Sequence, residues 1–355
     1  MFSTDKLNAA EALLEAQKIA FAPIIFQCAR LLRDWKIFEL LQANKKVGLS
    51  VEEISTKLAL PVHAVQILCE SGFSMRALKL EDKKYYITNI GYFLLTDEMT
   101  KVNLDFNHDV NYQGLFYLDE ALKTGTASGL HKTFSKEETI YPILSELPPK
   151  AKESWFNFDH FYSDASFIKL VDIMSKREIN KLLELGGNTG KWAVALTKAS
   201  TNTSVTILDH KGQFDVAIEN AKKNNVGDRV DGKAIDLLNH EIAFPKGYDA
   251  VWMSQFLDCF APKDIISLLK RSREALNEDG KVYIVEPYWD RQSHDIGAYC
   301  LINTSPYFSA LANGTSKMYR ATEMHQFVND AGLEIEEEIN GLGFHSTLMV
   351  CKTKK

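Results

Sequence analysis

The sequence predicts an α/β fold: a doubly wound sheet of seven strands in the C-terminal half, behind an N-terminal domain of helices and a winged helix. Three observations carry this. The first is Lys181-Leu182-Leu183-Glu184-Leu185-Gly186-Gly187-Asn188-Thr189-Gly190, a short apolar run ending in a glycine turn, followed by apolar residues at helical spacing through Lys198. An apolar run too short for a helix reads as a buried parallel strand, so the unit is strand, turn, helix. The second is that the alternation continues, with strands at 181–185, 203–208, 230–235, 249–254 and 281–286 and helices between them, which gives a parallel sheet. Two last strands, 333–339 and 346–351, flank Gly341-Leu342-Gly343 and add an antiparallel edge. The third is a helix, helix, hairpin pattern over residues 45–95.

In chain order, residues 5–42 read as one helix broken near Pro23. Ile24, Cys28, Leu31, Trp35, Phe38 and Leu41 recur at steps of four and three, and Ile25 and Leu32 widen the stripe. So broad an apolar face requires a domain core or a second subunit to cover it. Next, Ser50 with Glu53 three positions on opens a helix over Val51 to Leu58, and Pro61 suits the first turn of another, through about Cys69. Leu78-Lys79-Leu80, the charged turn Glu81-Asp82-Lys83-Lys84, and Tyr85-Tyr86-Ile87-Thr88 supply the wing. A winged helix can bind DNA, yet Pro61 to Met75, where a recognition helix would lie, contains no Lys or Arg for phosphate. Packing or dimerisation is the reading preferred over a DNA-binding regulator.

Residues 100–150, with Phe106, Tyr112, Phe116, Tyr117, Gly125, Gly129 and Pro148-Pro149, read as two helices and a long loop. Trp155 to Asp164 then places six rings, counting His160, in ten positions. Core packing explains some of them, and a wall for a flat substrate explains the rest. Trp155, Phe156 and Tyr162 are the candidate contacts on this side, with Tyr288, Trp289, Tyr299 and Tyr307 as a lid opposite. The domains expected are 1–100, helical with a winged helix; 101–165, a helical linker that contributes to a pocket; and 166–355, the sheet.

Composition removes several classes. A chain of 355 residues, 45% hydrophobic and 25% charged, has material for two folded domains, and its net charge of -6 disfavours general affinity for nucleic acid or anionic membrane. Cys28, Cys69, Cys259, Cys300 and Cys351 are odd in number without a Cys-x-x-Cys pair, which argues against a disulfide framework or a zinc site. A cytoplasmic protein without a metal is expected. Acidic residues at the N-terminus and the short, Pro23-interrupted run Ile19 to Phe26 fit neither a signal peptide nor a membrane span.

Glycine turns of this kind serve three ligand classes. A phosphate loop ends in Gly-Lys-Ser/Thr, and a dinucleotide fingerprint needs glycines at its first, third and sixth positions, where this chain has Gly186, Asn188 and Lys191. The nucleotide-dependent oxidoreductase is thereby disfavoured. Read from the acid, Glu184-x-Gly186-x-Asn188-x-Gly190 resembles the acid-x-Gly-x-Gly-x-Gly signature of class I S-adenosylmethionine-dependent methyltransferases. Asn188 replaces the middle glycine, and Asn tolerates left-handed backbone. The next strand ends in Asp209, placed to accept the two hydroxyls of a ribose. Gly186, Asp209, Asp236, Ser254 and Glu286 all fall at carboxyl strand ends, where such sheets bind ligands.

With these motifs the whole chain resembles the small-molecule O-methyltransferases that carry an N-terminal winged-helix dimerisation domain, the group containing caffeate and acetylserotonin methyltransferases. Ala234-Ile235-Asp236-Leu237-Leu238 is similar to the family segment beside adenine, and Leu276 to Val282 matches a family turn. The resemblance implies a Rossmann-like methyltransferase sheet, S-adenosylmethionine as cofactor with S-adenosylhomocysteine as product, and O-methylation of a small hydroxylated aromatic. It also implies a homodimer whose N-terminal helices help close the partner's pocket. The cofactor would meet Glu184, Gly186, Gly187, Asn188, Gly190, Asp209, Asp236, Leu237, Ser254 and Gln255.

The chemistry departs from the family. Its histidine base follows the fourth strand, and here Gln255-Phe256-Leu257-Asp258-Cys259-Phe260 puts Asp258 at that place. Glu286 matches the first of two supporting glutamates, whereas the second falls near Met318. Asp258, His160 and Glu286 are therefore the catalytic candidates. Asp258 reads equally as a substitute base or a helix cap, and Glu286 as a ligand group or a strand-tip acid. A phenol, with a pKa near that of tyrosine at about 10, is helped by a base at neutral pH. If the phenolate directs charge to a ring carbon, the same architecture methylates carbon. A catalytically silent scaffold is the remaining alternative.

Overall fold

The computed structural model describes residues 6–355, so Asp5, the first residue of the expected 5–42 helix, lies outside the described residues. The chain forms two compact units, divided between Asn107 and His108.

In the first unit the 5–42 segment is three helices, Ala9–Ala20, Ala22–Asp34 and Ile37–Ala43, in place of one broken helix. The first break is the expected one. Pro23 stands in the opening turn of the second helix, where its missing N–H costs nothing, and the two helices meet at 69°. The second break, unforeseen, comes at Lys36, whose φ of 63° is left-handed and cannot continue a helix. The apolar stripe is split accordingly. Leu32, Ile37, Phe38 and Leu41 enter a core with Leu49, Ile54, Val65, Leu68 and Leu78, while Ile24 is 60% and Trp35 38% exposed. The Ala9–Ala20 helix buries none of its residues. Among the described residues no single helix is long and apolar enough to cross a membrane.

The winged helix follows. Ser50 and Glu53 form the reciprocal capping box that their spacing predicts, opening Val51–Leu58. The next helix, Val62–Ser74, runs past Cys69 because nothing before Met75 interrupts its pattern. Strands β1 (Leu78–Glu81) and β2 (Lys84–Ile87) pair antiparallel, joined by Asp82 and Lys83 at φ 47° and 63°, the two left-handed residues of a tight hairpin turn.

In the second unit, residues 108–148 are a series of short helical turns, including Leu118–Thr124, Ser128–Thr133 and Tyr141–Glu146, where two helices and a long loop were expected. Of the glycines and prolines that suggested a loop, Gly125 caps one piece and Pro149 opens the next long helix, while Gly129 lies inside a helical turn. The expected boundaries at 100 and 165 fall inside continuous helices, Glu98–Phe106 and Pro149–Ser175.

The sheet has seven strands: β3 (Lys181–Leu185), β4 (Ser204–Asp209), β5 (Val230–Ala234), β6 (Tyr248–Ser254), β7 (Leu276–Pro287), β8 (Leu333–Leu342) and β9 (Ser346–Thr353), in the order β5-β4-β3-β6-β7-β9-β8. The first five are parallel, and β9 pairs antiparallel with both β7 and β8. The expected turn at Leu276 to Val282 is absorbed into β7: Leu276 pairs with Tyr248, and the register shifts before Ala250 meets Lys281. Strand order reverses between β3 and β6, which leaves a crevice at the carboxyl end of β3, above the glycine turn. Beneath one face Trp192 stacks on Trp252 at 4.0 Å between ring centroids, fixing the helix that leaves that turn against the sheet.

Candidate active site

The turn after β3 needs its unusual residues. Gly186, Asn188 and Gly190 have φ of 72°, 49° and 73°, so Asn188 takes the left-handed conformation for which Asn was expected to serve. A Cβ on Gly186 would lie 2.3 Å from the Phe256 ring, and one on Gly187 2.6 Å from Ile207. Side chains are thus excluded from beneath the turn. Its outer surface is secured through Asn188, whose backbone N–H donates to Asp209 Oδ2 at 2.8 Å and whose Nδ2 donates to Asp159 Oδ2 at 3.1 Å.

Asp209 takes one backbone N–H on each oxygen, the other from His210 at 2.7 Å, and each oxygen retains a second lone pair for a ribose hydroxyl. Burial pushes its pKa up to about 6, opposed by those N–H bonds. Glu184 is 3% exposed with Oε2 unpartnered, and burial, then the Asp209 charge, holds its carboxyl well above the usual range. A bare turn, a ribose-competent carboxylate and an orphaned acid fit a nucleoside that carries a polar, partly cationic tail.

The second wall is the segment after β6. Gln255 is left-handed at φ 46°, and the N–H groups of Phe256 and Leu257 both donate to Glu286 Oε1, at 2.9 and 2.7 Å. Farther along, Asn313 Nδ2 donates to the Cys259 carbonyl at 2.7 Å and the Tyr319 hydroxyl to the Phe260 carbonyl at 2.7 Å. Asp258 is fixed between these clamps, buried, with the Cys259 thiol donating to it at 3.4 Å. Burial raises Asp258, against the Cys259 thiol and local N–H groups; burial and then the Asp258 charge hold Glu286 well above the usual carboxylate range.

The third wall is the Pro149–Ser175 helix. Trp155, Asp159 and Tyr162 share a face at helical spacing. Burial pushes Asp159 up to about 7, with the Asp258 and Asp164 charges adding and Lys191 and Asn188 opposing. Trp155 Nε1 donates to the Tyr307 hydroxyl at 2.8 Å. Burial also raises the Tyr307 and Tyr141 phenols, with the Cys259 and Asp258 charges among the further causes. Asp159 and Asp258 thus approach one site from two walls.

The structure brings Glu184, Gly186, Gly187, Asn188, Gly190 and Asp209 together and sets Asp258 and Glu286 beside them. Other sequence-based candidates fall elsewhere. Asp236 is exposed and accepts from the Leu238 N–H, capping its own turn, while Leu237 is buried in the core. Tyr288 is a core residue, 1% exposed with its hydroxyl on Met349 Sδ, because it continues the buried run of β7. Tyr299 is 55% exposed on its helix. Neither forms a lid. On the third wall itself, Tyr162 packs on Phe158, Phe161 and His345, and Phe156 on both Trp155 and His160. His160 has Nε2 buried without a partner, and burial followed by the Lys191 charge lowers its pKa. Lys191 and Asp164 act on both His160 and Asp159, and it is Asp159, one residue before, that the Asp258 charge also reaches. Spacing in this ring-rich helix does not separate the two; the Asn188 amide, which reaches Asp159, does.

Residues 14–85 match a Dimerisation2-like domain, and residues 183–282 a methyltransferase domain. An L-tyrosine C(3)-methyltransferase of Streptomyces lavendulae is 26% identical over 323 residues, covering 90% of this chain and 86% of that protein. Among solved structures, the S-adenosylmethionine-dependent methyltransferase SibL in its apo form superposes with a TM-score of 0.69 at 23% identity, over 95% of this chain and 98% of that one. NcsB1, an O-methyltransferase from neocarzinostatin biosynthesis solved with S-adenosylmethionine and 2-hydroxy-5-methyl naphthoic acid, gives 0.68 at 15% identity, over 92% and 95%.

The Glu286 clamp yields a stability prediction. Glu286→Gln retains an oxygen for both N–H groups and removes an ionisable acid from the interior, so its urea midpoint should equal or exceed the native one. Glu286→Ala strands two buried donors and should cost about 2 to 4 kcal/mol. Equal midpoints for the two variants would refute the clamp.

Proposed function

We propose that this chain, a methyltransferase of the S-adenosylmethionine-dependent class with an N-terminal dimerisation domain, methylates the hydroxyl of a small, flat aromatic molecule. When bound, the cofactor supplies an electrophilic methyl group on a sulfonium. Asp209 is the acceptor for its ribose hydroxyls, and the bare turn from Gly186 to Gly190 lies along its amino-acid end. The observation that carries the reading is Asp258, a buried carboxylate at the family's base position with its pKa raised toward neutrality. There it can take the proton of an acceptor hydroxyl as the oxygen attacks, with Trp155 and Tyr307 as the aromatic wall. Glu286 positions the segment that presents Asp258. Alignment of donor and acceptor supplies much of the remaining acceleration, on the order of 7 to 11 kcal/mol when geometry is ideal.

Carbon methylation is the second reading, favoured by the relative named as a tyrosine C(3)-methyltransferase and by the carboxylate at the histidine position. Product NMR after transfer of a carbon-13 methyl group separates a methoxy signal from an aryl methyl signal.

Three outcomes are expected. Asp209→Ala should weaken S-adenosylhomocysteine binding by about 1.5 to 3 kcal/mol by calorimetry, and unchanged affinity would contradict its ribose role. Asp258 must be ionised to act as base, so turnover should rise with pH through its raised pKa. Asp258→Asn should lower turnover about 10²- to 10⁴-fold and flatten that limb, whereas His160→Ala should not. The Ala9–Ala20 helix leaves Leu13, Leu14 and Ile19 at 63%, 48% and 77% exposure, and we expect a second copy of the chain to cover them. Obligate interfaces commonly bury more than about 2,000 Å²; light scattering that returns a monomer at micromolar concentration would refute the dimer.

A further inference from the structure

We infer that Asp159 receives the α-ammonium of the cofactor's amino-acid end, and that Asn188 is the tether that holds it there. The inference rests on the cofactor reading above. Asn188 belongs to the glycine turn and reaches two carboxylates at once: its backbone N–H meets Asp209 on the ribose side and its Nδ2 meets Asp159 on the helix side. One residue therefore fixes the spacing between a ribose acceptor and a second acid. A nucleoside whose 5′ carbon bears an amino-acid chain presents hydroxyls at one end of that spacing and an ammonium at the other.

The charges around Asp159 favour a cation. Asp258 and Asp164 act on it with like charge, and the cation beside it, Lys191, is held by Asp164 at 2.7 Å. Glu286, 1% exposed, adds a buried oxygen without a partner next to Asp258. A ligand ammonium would neutralise Asp159 without displacing that ion pair. The departure from the glycine signature also gains a physical reason. Glycine suits φ 49° as well as Asn does, but only Asn supplies the amide that aims Asp159.

The test is calorimetric binding of two ligands, S-adenosylhomocysteine and 5′-methylthioadenosine, which lacks the amino-acid end, to the native protein and to Asp159→Asn, Asn188→Gly and the double variant. Asp159→Asn should weaken S-adenosylhomocysteine about 10- to 100-fold, as for loss of a charged hydrogen bond, and leave methylthioadenosine within about twofold. That unchanged affinity also certifies the fold. Asn188→Gly should lose less, and the double variant no more than Asp159→Asn, since both act through one contact. Equal loss for both ligands, or native S-adenosylhomocysteine affinity in Asp159→Asn, overturns the inference; in the latter case a raised KM for an amine-bearing acceptor would place the ammonium on the acceptor. A native protein that binds neither ligand refutes the cofactor reading itself, and this inference falls with it.

Discussion

Desolvated negative charge at the carboxyl edge of the sheet is the constraint on which the site depends. Glu184, Asp209, Asp258 and Glu286 are all less than 9% exposed, and their contacts are mostly N–H and S–H donors in place of lysine or arginine. Burying an acid without a counter-ion favours its protonated form, which is why every one of these groups is raised. Between the ordinary carboxylate range and neutrality these four groups consequently hold more protons in the folded chain than in the unfolded one. These groups therefore make stability fall as pH rises through that window. His345, depressed to about 4 by burial, and His160 act in the opposite sense there. A sulfonium ligand would offset part of the carboxylate penalty, so the unliganded site is poised for positive charge.

That constraint explains why some of the molecule was legible in the sequence and some was not. Strands β3, β4, β6 and β7 are apolar runs ending in polar residues, so chain position alone put Glu184, Asp209, Ser254 and Glu286 at the carboxyl edge of the sheet. The Ser50 capping box and the Asp82-Lys83 turn were legible for a similar reason, since each is a local pattern with a local cause. The Lys36 break was not, because a left-handed lysine carries no signature of its own. Residues 108–148 misled because Gly and Pro mark interruptions equally well between helical turns and within loops.

The errors at the site share one origin. Tyr288 and Tyr299 were grouped with the site by ring content, which does not reveal the direction a ring takes. Tyr288 follows directly on the buried end of β7 and enters the core, while Phe156 packs against both Trp155 and His160. Phase is a weak guide in this helix because rings occupy several of its faces, so hydrophobic spacing alone does not select one. Distinguishing Asp159 from His160 required knowing that Asn188 would offer an amide on that side.

The coupling between the walls bears on the base. Asp159 and Asp258 come from different elements, and the Asp258 charge makes Asp159 costlier to ionise, so a ligand cation at Asp159 offsets part of that cost. If the cofactor's ammonium occupies Asp159, it forms a neutral pair there, and Asp258 keeps a neutral neighbour when it ionises. Under the proposed reaction, a carboxylate at the histidine position serves where an acid with an ordinary pKa would be too weak, because burial sets its basicity.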